Sequence, residues 1–270
     1  MGKFLYVGGF VLPDRNAAAQ RVMSIAKSLK EIGHEVIFLN YSDNSEGNAW
    51  KIYNGFSCYE KPKANLFDRL VSVRDVKKII EENKITSVVA YNYPAVALYR
   101  LLMLCKRKSI SCYMDAAEWY VAKGNIIFKL IKTIDTELRM RYLHPKSDGV
   151  IAISDYLYRY YRDKVKTVKI PPTVDIEEAK WRIPPVKNGE QKTVFVYAGS
   201  PTLQKERLDF ILDAVGKVIG QRDLIVRIIG ITQQQYEQIY GKCVLADCVE
   251  FLGRISHTEV IRQIKSADGR

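Results

Sequence analysis

The strongest constraint on this chain is an alternation of two hydrophobic periods that runs from end to end and restarts once. A short apolar run, Phe4 to Val7, comes first. Val22, Ile25, Ala26 and Leu29 then fall at i, i+3, i+4 and i+7, the spacing of a helix with one apolar face. Gly33 ends that helix, and "EVIFLN" reads as the next strand. "KIYNGFSCYEK" predicts a hairpin that turns at Asn54-Gly55. Helical patterns over "LFDRLVSVRDVKKIIEEN", "PAVALYRLLMLCKR", "IIFKLIKTIDTELRMRYL" and "DYLYRYYRDK" then alternate with the strands "SVVAYN", "SISCYMD" and "GVIAIS". Strands joined through helices imply right-handed βαβ units and a parallel sheet covered on both faces. The near-continuous apolar character of "SVVAYN" and "GVIAIS" suits strands buried on both sides.

Two Pro-Pro pairs interrupt the rhythm in "KIPPTVDIEEAKWRIPPVKNGEQK", which predicts a linker and a boundary between domains at 1–172 and 173–270. The alternation then resumes with strands "TVFVYAGS", "LIVRIIG" and "VEFLG" and helices "RLDFILDAVGKVI", "QQQYEQIYGK" and "SHTEVIRQIKSA". Ser256, with Glu259 three residues on, predicts a capping box at the last helix. The expected fold is α/β: two doubly wound Rossmann-like domains in series, the second incomplete with three strands.

Composition narrows the class. The chain has 270 residues and is 47% hydrophobic, enough for sizeable cores and unlike a disordered chain. Its five cysteines stand in no metal spacing, and it holds only three histidines. They read as reduced thiols of a cytoplasmic protein. No secretory signal opens the chain and no apolar run is long enough to span a bilayer. The net charge of +12 favours anionic partners, among them nucleotides and membrane headgroups. Basic stretches such as "YLYRYYRDKVKTVK" also fit a plain solvated surface. No nucleic-acid module is recognisable.

In open α/β sheets, ligands sit beyond the carboxyl ends of the strands, where strand order reverses. Each strand-end loop is therefore a candidate. In "VYAGSPTLQKERLD", Gly199 and Ser200 allow a tight turn before a helix N-terminus, which attracts anions. Lys205 can add a point charge and Arg207 a fork, and a diphosphate is the natural guest. An ordinary turn with solvated cations explains the same residues, and spacing does not choose between the two. The first strand ends in Gly8-Gly9, which fails the G-x-G-x-x-G dinucleotide fingerprint and so argues against a dehydrogenase, but still permits close approach of a ligand or of packing backbone. Asp115 and Glu118, past another strand, could bind a hydroxyl or act as a base, or Asp115 could cap a local turn. Trp119 suits a sugar platform or the core.

In this order, "GGF…DRNAAAQRVMSIAKSLKEIGHEVIFLN", "DAAEWY", "GVIAIS", "VYAGSPTLQKERLD", "IIG" and "VEFLGRISHTEV" resemble the GT-B glycosyltransferases of family 4 over nearly the whole chain. The resemblance implies an amino-terminal acceptor-binding domain, a carboxy-terminal domain for the nucleotide sugar, and transfer with retention in the cleft. It implies no metal and no cofactor, because basic side chains and helix dipoles neutralise the leaving diphosphate. Lys205 matches the family's phosphate-binding lysine. The family's partnering arginine precedes that lysine; none does here, so Arg207 is a substitute candidate. Gly8 and Gly9 match the glycine loop near the donor phosphates. Asp115 and Glu118 match the acceptor-side loop as candidate catalytic carboxylates, where many members carry a histidine that this chain lacks. Arg15 and Trp119 are candidates for the acceptor.

Family members continue past "SAD" into a donor-binding loop with two glutamates and a last helix that crosses back to the first domain. The expectation is thus a truncated transferase. As an enzyme it would move a sugar from a nucleotide donor to a glycan or lipid-linked acceptor in bacterial surface polysaccharide synthesis, peripheral on an anionic membrane surface at its cytoplasmic face. The alternative is a non-catalytic binding or partner subunit derived from such a transferase.

Overall fold

The computed structural model describes residues 1–13, 16–42, 47–62, 72–119, 126–184, 192–203, 206–218, 223–242 and 247–268. The chain divides into two compact units, Met1–Val174 and Asp175–Arg270.

In the first unit the described elements are β1 (Lys3–Gly8), α1 (Ala17–Glu31), β2 (Glu35–Ser42), β3 (Ala49–Tyr53), β4 (Phe56–Pro62), α2 (Arg74–Asn83), β5 (Ser87–Tyr91), α3 (Ala95–Arg107), β6 (Ser111–Ala116), α4 (Ile126–Glu137), β7 (Gly149–Ala152), α5 (Asp155–Tyr161) and β8 (Thr167–Lys169). A π-helical turn, Leu138–Leu143, continues α4. The sheet order is β3-β4-β2-β1-β5-β6-β7-β8, with every pairing parallel except the β3–β4 hairpin. Asn54 (φ 50°) and Gly55 (φ 78°) make that hairpin turn, both in the left-handed region that a tight two-residue connection requires. The start of the predicted 66–83 helix lies outside the described residues; α2 begins at Arg74. Strand β8 escapes sequence reading because three residues carry no period.

Periodicity becomes packing on the two faces of this sheet. The apolar stripe of α1, with Ala19, Val22 and Ala26 buried, meets Tyr6, Phe38 and Val89. Asn16 caps α1, its side chain accepting from the Ala19 amide at 2.8 Å. Helices α2, α3 and α5 cover the opposite face through Ile79, Leu98, Leu101 and Tyr161 against Leu5, Val88 and Met114. All five residues of β5 are buried, as expected of a strand covered on both sides.

His144 sits in this core, 2% exposed, with Nδ1 3.1 Å from the Tyr161 hydroxyl. Burial, reinforced by the charge of Arg139, pushes its pKa down to about 3. An unfolded histidine titrates near 6.5. Below that pH the unfolded chain takes up a proton that the folded chain refuses. The stabilisation is therefore present above about pH 6.5 and is lost as the pH falls toward the folded value. His144→Gln should flatten the fall of unfolding free energy between pH 6.5 and 4.5 by about 1.4 kcal/mol per pH unit. Urea titrations across that range measure it, and an unchanged slope would refute it.

The second unit contains β9 (Thr193–Ala198), α6 (Leu208–Val218), β10 (Leu224–Ile229), α7 (Gln233–Tyr240), β11 (Val249–Gly253) and α8 (His257–Ser266). Its described strands form a parallel sheet in the order β11-β10-β9. Helices α6 and α7 pack on one face through Leu212, Val215 and Tyr236, and α8 on the other through Val260 and Ile264. The full capping box is at α7, where Thr232 and Gln235 exchange side-chain and backbone bonds. At α8, Ser256 accepts from the Glu259 amide, but the Glu259 carboxylate bonds Arg262 and Gln263, so the reciprocal half of the predicted box is not formed.

Candidate functional site

Strand order reverses at one place in the first sheet. From β1 the chain builds outward through β2, and from β5 it builds in the other direction through β6, β7 and β8. The crevice therefore lies beyond the carboxyl ends of β1 and β5. Gly8 ends β1 there, at φ +154°, and a β-carbon on it would stand 2.1 Å from the Tyr91 carbonyl oxygen. Glycine is required at this position because β1 and β5 close up on each other. Gly9 is exposed, a β-carbon on it would have nothing within 4 Å, and its amide donates to the Tyr91 oxygen at 3.4 Å.

Register places Gly8, Tyr91 and Asp115 in one row across β1, β5 and β6. Asp115 is 0% exposed. Its Oδ1 accepts from Arg21 Nε at 2.9 Å and Nη2 at 2.7 Å, and its Oδ2 accepts from the Tyr6 hydroxyl at 2.6 Å. Burial lifts the pKa of Asp115 above the ordinary range, while the charge and bonds of Arg21 and the Tyr6 bond oppose that rise. The strand-end carboxylate expected to meet a substrate hydroxyl, or to cap a turn, is instead the inner half of an ion pair. Arg21 Nη1 also donates to the Ile170 carbonyl at 2.9 Å, so one guanidinium joins α1, β6 and the stretch after β8. Arg21 was legible only as an oddity, an arginine beside Val22 on the apolar stripe of α1.

Glu118 is exposed, and its charge acts on Tyr91 and Arg139. Trp119 is half-buried. Its Nε1 donates to Glu137 at 2.9 Å, its ring meets Tyr160 edge-on at 4.9 Å, and Arg141 lies over it at 5.1 Å. These contacts make Trp119 a packing residue among α4, its π-helical extension and α5. Arg15 lies outside the described residues. Near the end of β5 the structure adds polar groups that no spacing announced. Arg139, in the π-helical turn, is 4% exposed, and its Nε has no hydrogen-bond partner. The Asn92 Oδ1, Asp135 Oδ2 and Thr136 Oγ1 atoms are likewise buried without one. Such turns and unpaired polar atoms often mark functional sites.

In the second unit the segment after α8 returns to the edge of β9. The Asp268 amide donates to the Val194 oxygen at 2.9 Å, and the Val194 amide donates to Asp268 Oδ2 at 2.9 Å. Direction thus reverses across β9, and the crevice rule selects its carboxyl end. There the strand ends carry a row of glycines. The Gly199 amide donates to Ile229 at 3.0 Å and the Gly230 amide to Gly253 at 2.7 Å. Gly230 has φ +112°, and a β-carbon on it would lie 1.8 Å from the Gly199 oxygen. The chain therefore leaves the sheet in a bend at Gly199, followed by the exposed Ser200. Lys205 lies outside the described residues. Arg207 is exposed but not open as a fork: Nε and Nη2 close on the Asp209 carboxylate at 2.9 and 2.6 Å, and the guanidinium stacks 3.7 Å over Phe210. An acid in the first turn of α6 competes for the same arginine that a phosphate would use.

The two units, each with a reversal of strand order and glycines at the strand ends, define a doubly wound α/β architecture. No family model and no curated protein matches the chain. Solved structures do. The lipopolysaccharide outer core galactosyltransferase WaaB is 14% identical, with a TM-score of 0.58 over 98% of this chain and 72% of that one. HepE from Anabaena, solved with UDP and glucose, is 12% identical, with a TM-score of 0.64 over 99% of this chain and 73% of that one. The UDP-GlcNAc 2-epimerase from Methanocaldococcus jannaschii is 11% identical, with a TM-score of 0.59 over 99% of this chain and 77% of that one. The chain has the GT-B fold, the fold of nucleotide-sugar glycosyltransferases that UDP-sugar epimerases share.

Proposed function

We propose that the protein is a retaining glycosyltransferase that takes a sugar from a nucleotide diphosphate donor, UDP-linked as in HepE, and passes it to a glycan or lipid-linked acceptor in bacterial surface polysaccharide synthesis. The observation that supports this reading is the glycine row at the ends of β9, β10 and β11, which sets the bend at Gly199 and the exposed Ser200 at the reversal of strand order. The N-terminus of α6 that follows this bend, with Lys205 just before it in sequence, suits a diphosphate. The second unit then holds the donor, and the first unit binds the acceptor at the ends of β1, β5 and β6. With Asp115 sealed in its ion pair, we assign the acceptor hydroxyl to Glu118, which is exposed past the end of β6. The basic, tyrosine-rich stretch from Tyr156 to Lys169 suits an anionic membrane surface.

Titration calorimetry with UDP tests the donor side. Lys205→Ala removes one charge-assisted contact and should weaken UDP binding roughly 10- to 150-fold. Undiminished affinity in that variant, or no nucleotide bound by the wild type, would overturn the reading. The closure of Arg207 on Asp209 favours one second reading, a non-catalytic partner subunit that binds a sugar nucleotide without turning it over. Release of free sugar or transfer from a labelled donor separates the two.

A further inference from the structure

We infer that α4, with the π-helical turn that continues it, is the surface by which the protein lies on an anionic lipid bilayer. A helix packed on a globular core normally turns its apolar stripe inward. Here α4 is inverted. Ile127, Leu130, Ile131, Ile134, Leu138 and Tyr142 are exposed by 72, 61, 61, 50, 44 and 60%. Ile127, Leu130, Ile131 and Ile134 fall at i, i+3, i+4 and i+7 of α4, and Leu138 and Tyr142 carry the line on into the π-helical turn. Its acids and Thr136 are drawn toward the protein instead, while Lys129 and Thr133 stay exposed. Thr136 is the buried residue of α4, Asp135 accepts from the Ala95 amide at 2.7 Å, and Glu137 accepts from Trp119 and Arg141.

Charge identifies the occupant. Both acids of α4 are engaged, Asp135 by the Ala95 amide and Glu137, its side chain 36% exposed, by Trp119 and Arg141. Lys129 stands among the exposed aliphatics and Arg141 flanks them. The neighbouring α3 adds exposed Val96 and Tyr99, with Lys106 and Arg107 in its last turn. A convex aliphatic ridge with a basic rim matches an acyl layer beneath anionic headgroups. Among the described residues no helix is long and apolar enough to cross a membrane, so α4 lies in the plane of the interface.

This inference deepens the membrane part of the proposed function and is independent of the sugar-transfer step. The test is co-sedimentation of the full chain with phosphatidylcholine vesicles, with and without phosphatidylglycerol, at rising salt. Wild-type protein should bind the anionic vesicles and dissociate as salt increases. The double variant Ile131→Ser, Ile134→Ser should lose binding roughly tenfold or more while keeping its melting temperature and its UDP affinity. Equal binding by the double variant would overturn the inference and leave the Tyr156 to Lys169 stretch as the membrane surface. No binding by the wild type would overturn both. A dimer in the wild type that the double variant dissolves, without vesicle binding, would show that a second copy covers the ridge and would likewise overturn it.

Discussion

Gly230→Ala is expected to destabilise the second unit by about 2–5 kcal/mol, the sum of overpacking and left-handed strain. The physical reason is local and specific. The new methyl would sit 1.8 Å from the Gly199 carbonyl oxygen, and the residue holds φ +112°. The neighbour is backbone and cannot rotate away, so β9 and β10 must separate at their carboxyl ends. Gly8→Ala makes the same experiment in the first unit, with the Tyr91 oxygen 2.1 Å away. Gly9→Ala, where nothing lies within 4 Å, is the control and should stay within about 0.5 kcal/mol of the wild type. Urea midpoints read all three. If the strand-end turn also holds the donor diphosphate, Gly230→Ala weakens UDP binding more than Gly8→Ala does. Near-native stability for Gly230→Ala would show that the strand ends are not packed as described.

The second large effect concerns Arg21. Arg21→Met should cost about 3–5 kcal/mol, because it strands the buried Asp115 carboxylate without its counter-charge. That is a large share of the 5–15 kcal/mol that typically holds a domain together. Adding Asp115→Asn removes the stranded charge, and the double variant should recover much of the loss. The coupling in the double-mutant cycle then measures the pair. Additive losses would mean that the pair does not act as a unit. The experiment also decides how Asp115 matters to activity. A residue that acts through the position of α1 and β6 lowers stability and activity together, whereas a base in contact with substrate would lower turnover at unchanged stability.

Particular residues show how far the chain could be read in advance. The βαβ rhythm, the Asn54-Gly55 hairpin and the Gly33 stop all follow from local period and backbone preference, and the fold depends on little else. The bend at Gly199 was legible for the same reason. The ion pair of Asp115 was not legible, because a strand-end carboxylate looks alike in sequence whether it opens to solvent or meets an arginine 94 positions away. The pairing of Arg207 escaped by a shorter distance: Asp209 lies two residues on, and only the geometry of the first helical turn closes the two together. The inward turn of Asp135 and Glu137, which leaves the aliphatic face of α4 outside, has no local signal at all.

Hydrophobic period and turn chemistry act between neighbours in the chain, so the order of strands and helices and the glycine turns were written in the amino acids themselves. Burial, charge pairing and the choice of which helical face meets the core depend on groups brought together from far apart. For that reason the fate of Asp115, the unpaired Nε of Arg139 and the exposed ridge of α4 became visible only once the chain was folded.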